Sequence, residues 1–292
     1  MKNNRRKHRL RIGAAVILLA GVLLWYGFCV EPDLLVVRHH TLEADPDSAA
    51  DKKTEPAKSV RLVQISDLQL GEHYSVRQLQ KVVRMIQKEE PDVIVFTGDL
   101  FEDYKVCGAD MEPEVTACLS HLQAPLGKYA VWGNRDYGGG AEKAYRRVMK
   151  EAGFTLLRNE SAELPLENGQ KILLCGLDDS LFGKPDGTAF FQHDADDYVY
   201  RILLLHEPDA AQLWSHSSFQ LILAGHSHGG QVRLPFCPGF QTALAQHYIR
   251  HFYTLNEETG LKLYVNTGLG TSHMRFRLGV PPEIAVFDIR KR

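Results

Sequence analysis

The 292-residue chain contains no Cys-x-x-Cys pair, and its five cysteines (Cys29, Cys107, Cys118, Cys175, Cys237) fit no zinc-ribbon spacing. Dithiol redox motifs and small zinc modules are therefore excluded. The odd count leaves at least one free thiol unless chains cross-link, and Cys107 and Cys118 are candidates to pair. A basic excess is also missing. Residues 1–11 carry six Lys/Arg and no acid, which leaves 28 basic against 36 acidic residues in the remainder. That body lacks the electrostatic footprint of a nucleic-acid binder. No internal repeat is visible. Apolar content of 44% with 24% charge excludes disorder as the main state, and the length suits one large domain or two small ones.

Charge is absent altogether from Ile12 to Val30, "IGAAVILLAGVLLWYGFCV". As a helix this run spans about 30 Å, one hydrocarbon core. The basic flank belongs on the cytoplasmic side, and Trp25 and Tyr26 suit the far interface. No A-x-A-like site stands near Val30, so a signal anchor fits better than a cleaved signal peptide. The expected organisation is a basic cytoplasmic segment (1–11), a transmembrane anchor (12–30), a linker (31–59) and a catalytic domain (60–292). The domain is expected on the extracytoplasmic side of the cell membrane. The linker reading rests on "EADPDSAADKKTEPAKS", polar and Pro-containing.

Within the domain, apolar runs alternate with helical patterns. "VRLVQIS", "DVIVFTGD", "GKYAVWGN", "KILLCGLDD", "RILLLHEPD" and "FQLILAGHSH" read as buried strands. "YSVRQLQKVVRMIQKEE" reads as an amphipathic helix with Val76, Leu79, Val82, Val83 and Ile86 on one face. "AEKAYRRVMKEAG" is a second helix, and "GQVRLP", "LKLYVNTG" and "EIAVFDI" make a β-rich C-terminal third. Strands alternating with helices predict an α/β fold.

Five strands end in possible ligands: Asp67, Asp99, Asn134, His206, and His226 with His228. In open α/β sheets the carboxyl ends of strands line the binding crevice. One Asp after a strand is ordinarily a turn residue, and one buried His is ordinarily a core residue. Five such ends together are not explained as turns. Two carboxylates, an amide and three imidazoles suit a pair of divalent metals, with Asp99 as the natural bridging carboxylate. Such pairs activate a bridging hydroxide and clamp a phosphoryl group.

The core of the last motif, "GHSHG", also reads as Gly-x-Ser-x-Gly, which places a nucleophilic serine on a strand-to-helix turn. Here "QVRLP" follows instead of a helical pattern, and only weak acid–base partners remain downstream. Ser227 is thus read as a spacer between two ligands.

At these residues the chain resembles the calcineurin-like metallophosphoesterase superfamily. The family pattern D-x-H, G-D-x-x-D, G-N-H-[DE], H and G-H-x-H meets "DLQ", "GDLFE", "GNRD", His206 and "GHSH", in the same order. "GGQVRLP" and "YVNTGLGTSHMRFRLGVPPEIAVF" after a single anchor look like its membrane-anchored YkuE-like branch, similar to UDP-diacylglucosamine pyrophosphatases. The resemblance implies a four-layer α/β/β/α sandwich with two mixed sheets. It implies one metal at Asp67, Gln69, Asp99 and His228, and another at Asp99, Asn134, His206 and His226. Arg135 and Asp136 would stand beside the phosphoryl group with Asn134. The implied activity is hydrolysis of a phosphodiester or pyrophosphate bond, in a lipid-linked or nucleotide-sugar envelope substrate. No protein partner is evident.

Two positions depart from the family pattern. Gln69 replaces a His, and its oxygen donor favours Mn²⁺, with Fe²⁺ or Mg²⁺, over Zn²⁺. Gln69 also supports a rival reading, a non-catalytic binding module on a decayed phosphoesterase fold. Arg135 stands where many members have His, and a salt bridge to Asp136 or Glu102 is its plain structural alternative. Arg275 and Arg277 are candidates to hold a phosphate or a sugar acid. Asn266, Thr271 and His273 are candidates for the site rim. Asp178-Asp179 reads as a turn, and "QHYIRHFY" as packing.

Overall fold

The computed structural model describes residues 2–43, 59–166, 169–193, 197–234 and 239–290. The chain opens with one helix, α1 (Lys2–Cys29), whose span is long and apolar enough to cross a membrane by length and composition. From Asn4 through Trp25 its side chains are exposed, and Gly27 is the first described residue buried against the body.

Strand β1 (Val36–Glu43) follows. It falls inside the 31–59 stretch read as linker, so the sheet begins earlier than residue 60. The remainder of that stretch, from 44 to 58, lies outside the described residues. β1 escapes the sequence pattern because it is an edge strand: "VVRHHTLE" is half polar, and only Leu42 is fully buried. Its partner is β12 (Glu283–Arg290), which it joins in parallel.

The first sheet has the order β1-β12-β2-β3-β4-β5, where β2 is Val60–Ile65, β3 Val93–Phe96, β4 Lys128–Ala130 and β5 Thr155–Leu156. The second has the order β10-β11-β9-β8-β7-β6. Its strands are β6 (Glu160–Pro165), β7 (Lys171–Gly176), β8 (Tyr200–Leu204), β9 (Leu221–Ala224), β10 (His251–Asn256) and β11 (Leu261–Val265). Each sheet is mixed: β2 to β5 run parallel with β12 antiparallel to β2, and β7, β8, β9 and β11 run parallel with antiparallel edges.

Side-chain parity builds the layers. Leu62, Val93, Val95, Ala285 and Phe287 point inward against Ile172, Leu174, Ile202, Leu204, Leu221 and Leu223 of the other sheet. Their neighbours Val63, Ile65, Ile94, Phe96 and Val286 face the helices α2 (Val76–Lys88), α3 (Ala109–Ser120) and α5 (Glu142–Glu151). Strands buried on both faces read as continuous apolar runs. All five apolar residues expected on one face of α2 are buried. The outer layer on the second sheet is thin, being 3-10 turns at Thr188–Gln192 and Pro208–Trp214 packed on Leu203, Ile222 and Leu263. The four-layer α/β expectation holds, with that layer made of short turns. "GQVRLP" is not a full strand; Val232 makes only an isolated bridge with Leu278. Cys107 and Cys118 are both free thiols.

Candidate metal centre

The parallel strands of both sheets deliver their carboxyl ends to one edge of the sandwich. β2 leads to Asp67 and Gln69, β3 to Asp99, β4 to Asn134 at the start of the one-turn helix α4 (Asn134–Tyr137), β8 to His206, and β9 to His226 and His228. Asp67, Gln69, Asp99, His206, His226 and His228 are each at most 7% exposed. Ligand atoms of Asp99, His206 and His226 lie within 4.8 Å of one another. Asp99 Oδ2 is 3.4 Å from His206 Nε2 and 3.5 Å from Gln69 Nε2, and Asp67 Oδ1 is 3.6 Å from His228 Nε2. Asn134 lines the same cavity, of about 350 Å³.

The turns that hold these residues are strained. Asp67, Gln69, Asp99, His226 and His228 all have φ between +43° and +66°, and they are five of eleven non-glycine residues with positive φ among the described residues. A left-handed non-glycine residue costs about 1–3 kcal/mol and persists where function demands it. Two glycines make room. A Cβ on Gly133 would collide with the Asp99 carboxylate and the His206 ring, and one on Gly225 would collide with Ser66 and Asp67.

Hydrogen bonds fix the orientation of two of the imidazoles. His206 Nδ1 donates to the Thr97 carbonyl at 2.6 Å, which leaves Nε2 facing Asp99. His226 Nε2 donates to the Ala243 carbonyl at 2.8 Å and turns Nδ1 toward His206, 3.2 Å away. Such hydrogen bonds fix the tautomer of a metal-binding histidine. Burial, then the His206 charge, lowers His226 to about 4. Burial, then Arg277, pushes His228 well below the usual range. Both rings are thus neutral donors near pH 7. His206 behaves oppositely: burial works to lower it, but the adjacent Asp99 charge, with Asp67 and Glu207, raises it well above the usual range. Burial raises Asp67, whose Oδ2 accepts from Ser66 Oγ. This cluster of carboxylates and imidazoles calls for positive charge at its centre, which a proton or a metal cation can supply.

Unpaired atoms distinguish the two. Gln69 Oε1, Asn134 Oδ1 and both ring nitrogens of His228 are buried without a hydrogen-bond partner. An unsatisfied buried polar group costs about 1–3 kcal/mol. All belong to residues lining the one cavity, and the two amide oxygens and one nitrogen of the neutral His228 ring are lone-pair donors to a cation. The residues present therefore fit divalent metal.

Arg135 also lines the cavity, with its guanidinium 3.3 Å from Glu102 Oε1 and 3.1 Å from Ser272 Oγ. His273 and Met274 complete that wall. Asp136 does not line the cavity. It is buried behind Asp99, and its carboxylate accepts the N–H groups of Asp99, Leu100 and Gly133 at 2.8–2.9 Å. The structure thus separates it from Asn134 and Arg135, with which the order "GNRD" groups it.

Arg277 and Arg275 are likewise away from the cavity. Arg277 is fully buried and donates to the carbonyls of Thr267, Gly268, Gly270 and Val280, so it ties the loop that backs Asp67. Arg275 bonds the Phe28 carbonyl and Asp33. Asn266 and Thr271 are buried within that loop. Tyr248 and Tyr253 of "QHYIRHFY" pack on the second sheet.

Ser227 Oγ donates to the Ile249 carbonyl at 2.6 Å and accepts from Gly229 N. A single 3-10 turn (His228–Gly230) follows, not a helix, so the geometry of a nucleophile elbow is absent there. Sequence reading missed Asp179 and Glu207. Asp179 is no simple turn residue: it is fully buried, its Oδ2 accepts from Leu181 N, and its carboxyl neighbours that of Glu207. Glu207 is raised well above the carboxylate range by burial and by that contact, and the "HE" adjacency to His206 was its only signal.

Known proteins resemble the chain over most of its length. The profile of the calcineurin-like phosphoesterase family matches residues 60–230, which include every candidate ligand. The uncharacterized metallophosphoesterase YkuE of Bacillus subtilis is 34% identical over 95% of this chain and 93% of its own. UDP-2,3-diacylglucosamine pyrophosphatase LpxG of Chlamydia trachomatis is 30% identical over 92% of this chain and 94% of its own. An uncharacterized metallophosphoesterase of Aquifex aeolicus is 28% identical over 94% and 98%. The chain belongs to the calcineurin-like phosphoesterase family, a hydrolase of phosphoric ester or anhydride bonds.

Proposed function

We propose that this phosphoesterase cleaves a pyrophosphate bond faster than an unactivated alkyl phosphodiester, using two divalent metal ions. Asp67, Gln69, Asp99 and His228 would hold one, and Asp99, Asn134, His206 and His226 the other. The observation that carries the reading is the set of unpaired buried atoms on Gln69, Asn134 and His228, all around one cavity. When bound, the two cations polarise the phosphoryl oxygens and make water a competent nucleophile near neutral pH. Oxygen donors from Gln69, Asn134 and the carboxylates favour Mn²⁺.

The chain's own residues do the rest. Thr97 and Ala243 hold the His206 and His226 rings in the ligating tautomer. Asp136 holds the Asp99 turn through three backbone N–H groups. Glu102 and Ser272 aim Arg135 across the cavity. Guanidinium stays charged and cannot hand a proton to an alkoxide, but its fork matches a departing phosphate. An anhydride needs no such proton. The pyrophosphatase activity in the name of LpxG supports this preference and a lipid-linked nucleotide-sugar as the substrate type. The basic flank of residues 1–11 supports a catalytic domain outside the cytoplasm.

Metal analysis of the full-length protein, with a screen of pyrophosphate, phosphodiester and phosphomonoester substrates, tests the reading. Two metals per chain with fastest turnover of a pyrophosphate is expected. Metal without turnover identifies a binding module, and turnover that survives a chelator but dies in Ser227→Ala identifies a serine esterase.

A further inference from the structure

The cavity wall and the base of the anchor helix are one hydrogen-bonded unit. Ser272, His273 and Met274 line the cavity, and the next three residues grip α1. Arg275 donates to the Phe28 carbonyl at 2.6 Å, Arg277 N donates to the Gly27 carbonyl at 3.0 Å, and the Phe276 ring lies 4.6 Å from that of Phe28 and fills the space where Gly27 lacks a side chain. The neighbouring lip is laced to the same segment. The Gln231 amide bonds the backbone of Ser272 and Met274, and Arg233 N donates to the Leu278 carbonyl.

This lip carries large apolar side chains in the open. Leu234, Phe240 and Met274 are 46%, 66% and 47% exposed, and the latter two line the cavity. Exposed apolar residues clustered at a polar pocket mark an interaction site. α1 identifies the partner. It stands clear of the body through Trp25, 61% exposed, and docks from Gly27. An interfacial Trp marks the membrane boundary. At 1.5 Å per residue, the wall bonded to Gly27 and Phe28 sits within about one helical turn of that level.

We infer that Leu234, Phe240 and Met274 form a second membrane contact, a lip seated at the headgroup–acyl boundary beside the anchor. The cavity then opens at headgroup depth and takes the phosphate or pyrophosphate of an amphiphile whose tails stay in the bilayer. The substrate half of this inference rests on the phosphoesterase reading; the lip does not.

The test uses the full chain reconstituted in phosphatidylcholine–phosphatidylglycerol vesicles with or without bromine on the acyl chains. Phe240→Trp and Met274→Trp each add one indole to the three native tryptophans. His121→Trp is the control, because His121 lies on the turn entering β4, at the opposite end of the strands from the cavity. Subtracting the parent signal, bromine is expected to quench the added emission at 240 and 274 at least twofold and to leave that at 121 unchanged. Quenching at 240 and 274 equal to the control overturns the lip. A change that follows protein density and not bromine assigns the lip to a second copy and also overturns it. Since quenching needs no turnover, an inactive protein with strong quenching would refute the phosphoesterase reading alone.

Discussion

The Asp136 carboxylate accepts the backbone N–H of Asp99 at 2.8 Å and that of Leu100 at 2.9 Å, so the bridging candidate sits on a turn braced from behind. This makes Asp136 a positioning residue. Asp136→Asn turns an acceptor into a donor against an N–H group. Stability should fall by about 1–3 kcal/mol, and kcat by about 10–100-fold, with the shape of the pH–rate profile retained. If Asp136 were instead a proton donor, the profile would lose its basic limb while the melting temperature stayed unchanged.

Gln69 Oε1 has no partner although the residue is buried. Gln69→Ala should lower metal content at one of the two sites, and Gln69→His should move preference toward Zn²⁺ over Mn²⁺. Metal stoichiometry after dialysis against a mixture of both ions reads the outcome. Wild-type content and selectivity in both variants would make Gln69 a loop residue only.

Arg135 is tethered to Glu102 and Ser272, and its proposed role is to select the leaving group. Arg135→His restores a group able to protonate an alkoxide. The ratio of kcat/KM for a pyrophosphate to that for an alkyl diester should drop by about tenfold or more. An unchanged ratio would remove Arg135 from leaving-group selection.

Away from the site, Glu283 is buried between Arg38, His251 and Tyr264. Burial works to raise its pKa, but the adjacent His251 ring, the Tyr264 hydrogen bond and the Arg38 charge outweigh it and leave the group below the usual carboxylate range. A depressed folded pKa contributes stability that is present above the unfolded value, about 4.3, and lost as pH falls through the folded value. Denaturant titrations from pH 6 to pH 3 should show a steeper loss in wild type than in Glu283→Gln. Parallel curves would show that the Glu283 cluster does not govern acid stability.

The strand ends that carry the candidate ligands were legible because β2, β3, β8 and β9 are buried on both faces and read as apolar runs ending in Asp or His. α2 was legible from its spacing. β1 was not, because an edge strand keeps one polar face and "VVRHHTLE" lacks the pattern. Helix α3 was hidden by Pro113, a breaker by composition that sits inside it. The direction of side chains was illegible too. "GNRD" gives the order of Asn134, Arg135 and Asp136, but only the one-turn helix α4 sends Arg135 into the cavity and Asp136 behind Asp99. Arg277 looked like an anion site, yet four backbone carbonyls claim its guanidinium.

The central claim is a two-metal centre bridged by Asp99, and metal content measured alongside turnover in wild type and Asp99→Asn tests it most directly. The account predicts two divalent ions per wild-type chain. It predicts at most one in the variant, with turnover of a pyrophosphate abolished and the circular dichroism spectrum unchanged. Wild-type metal content and rate in Asp99→Asn would contradict it.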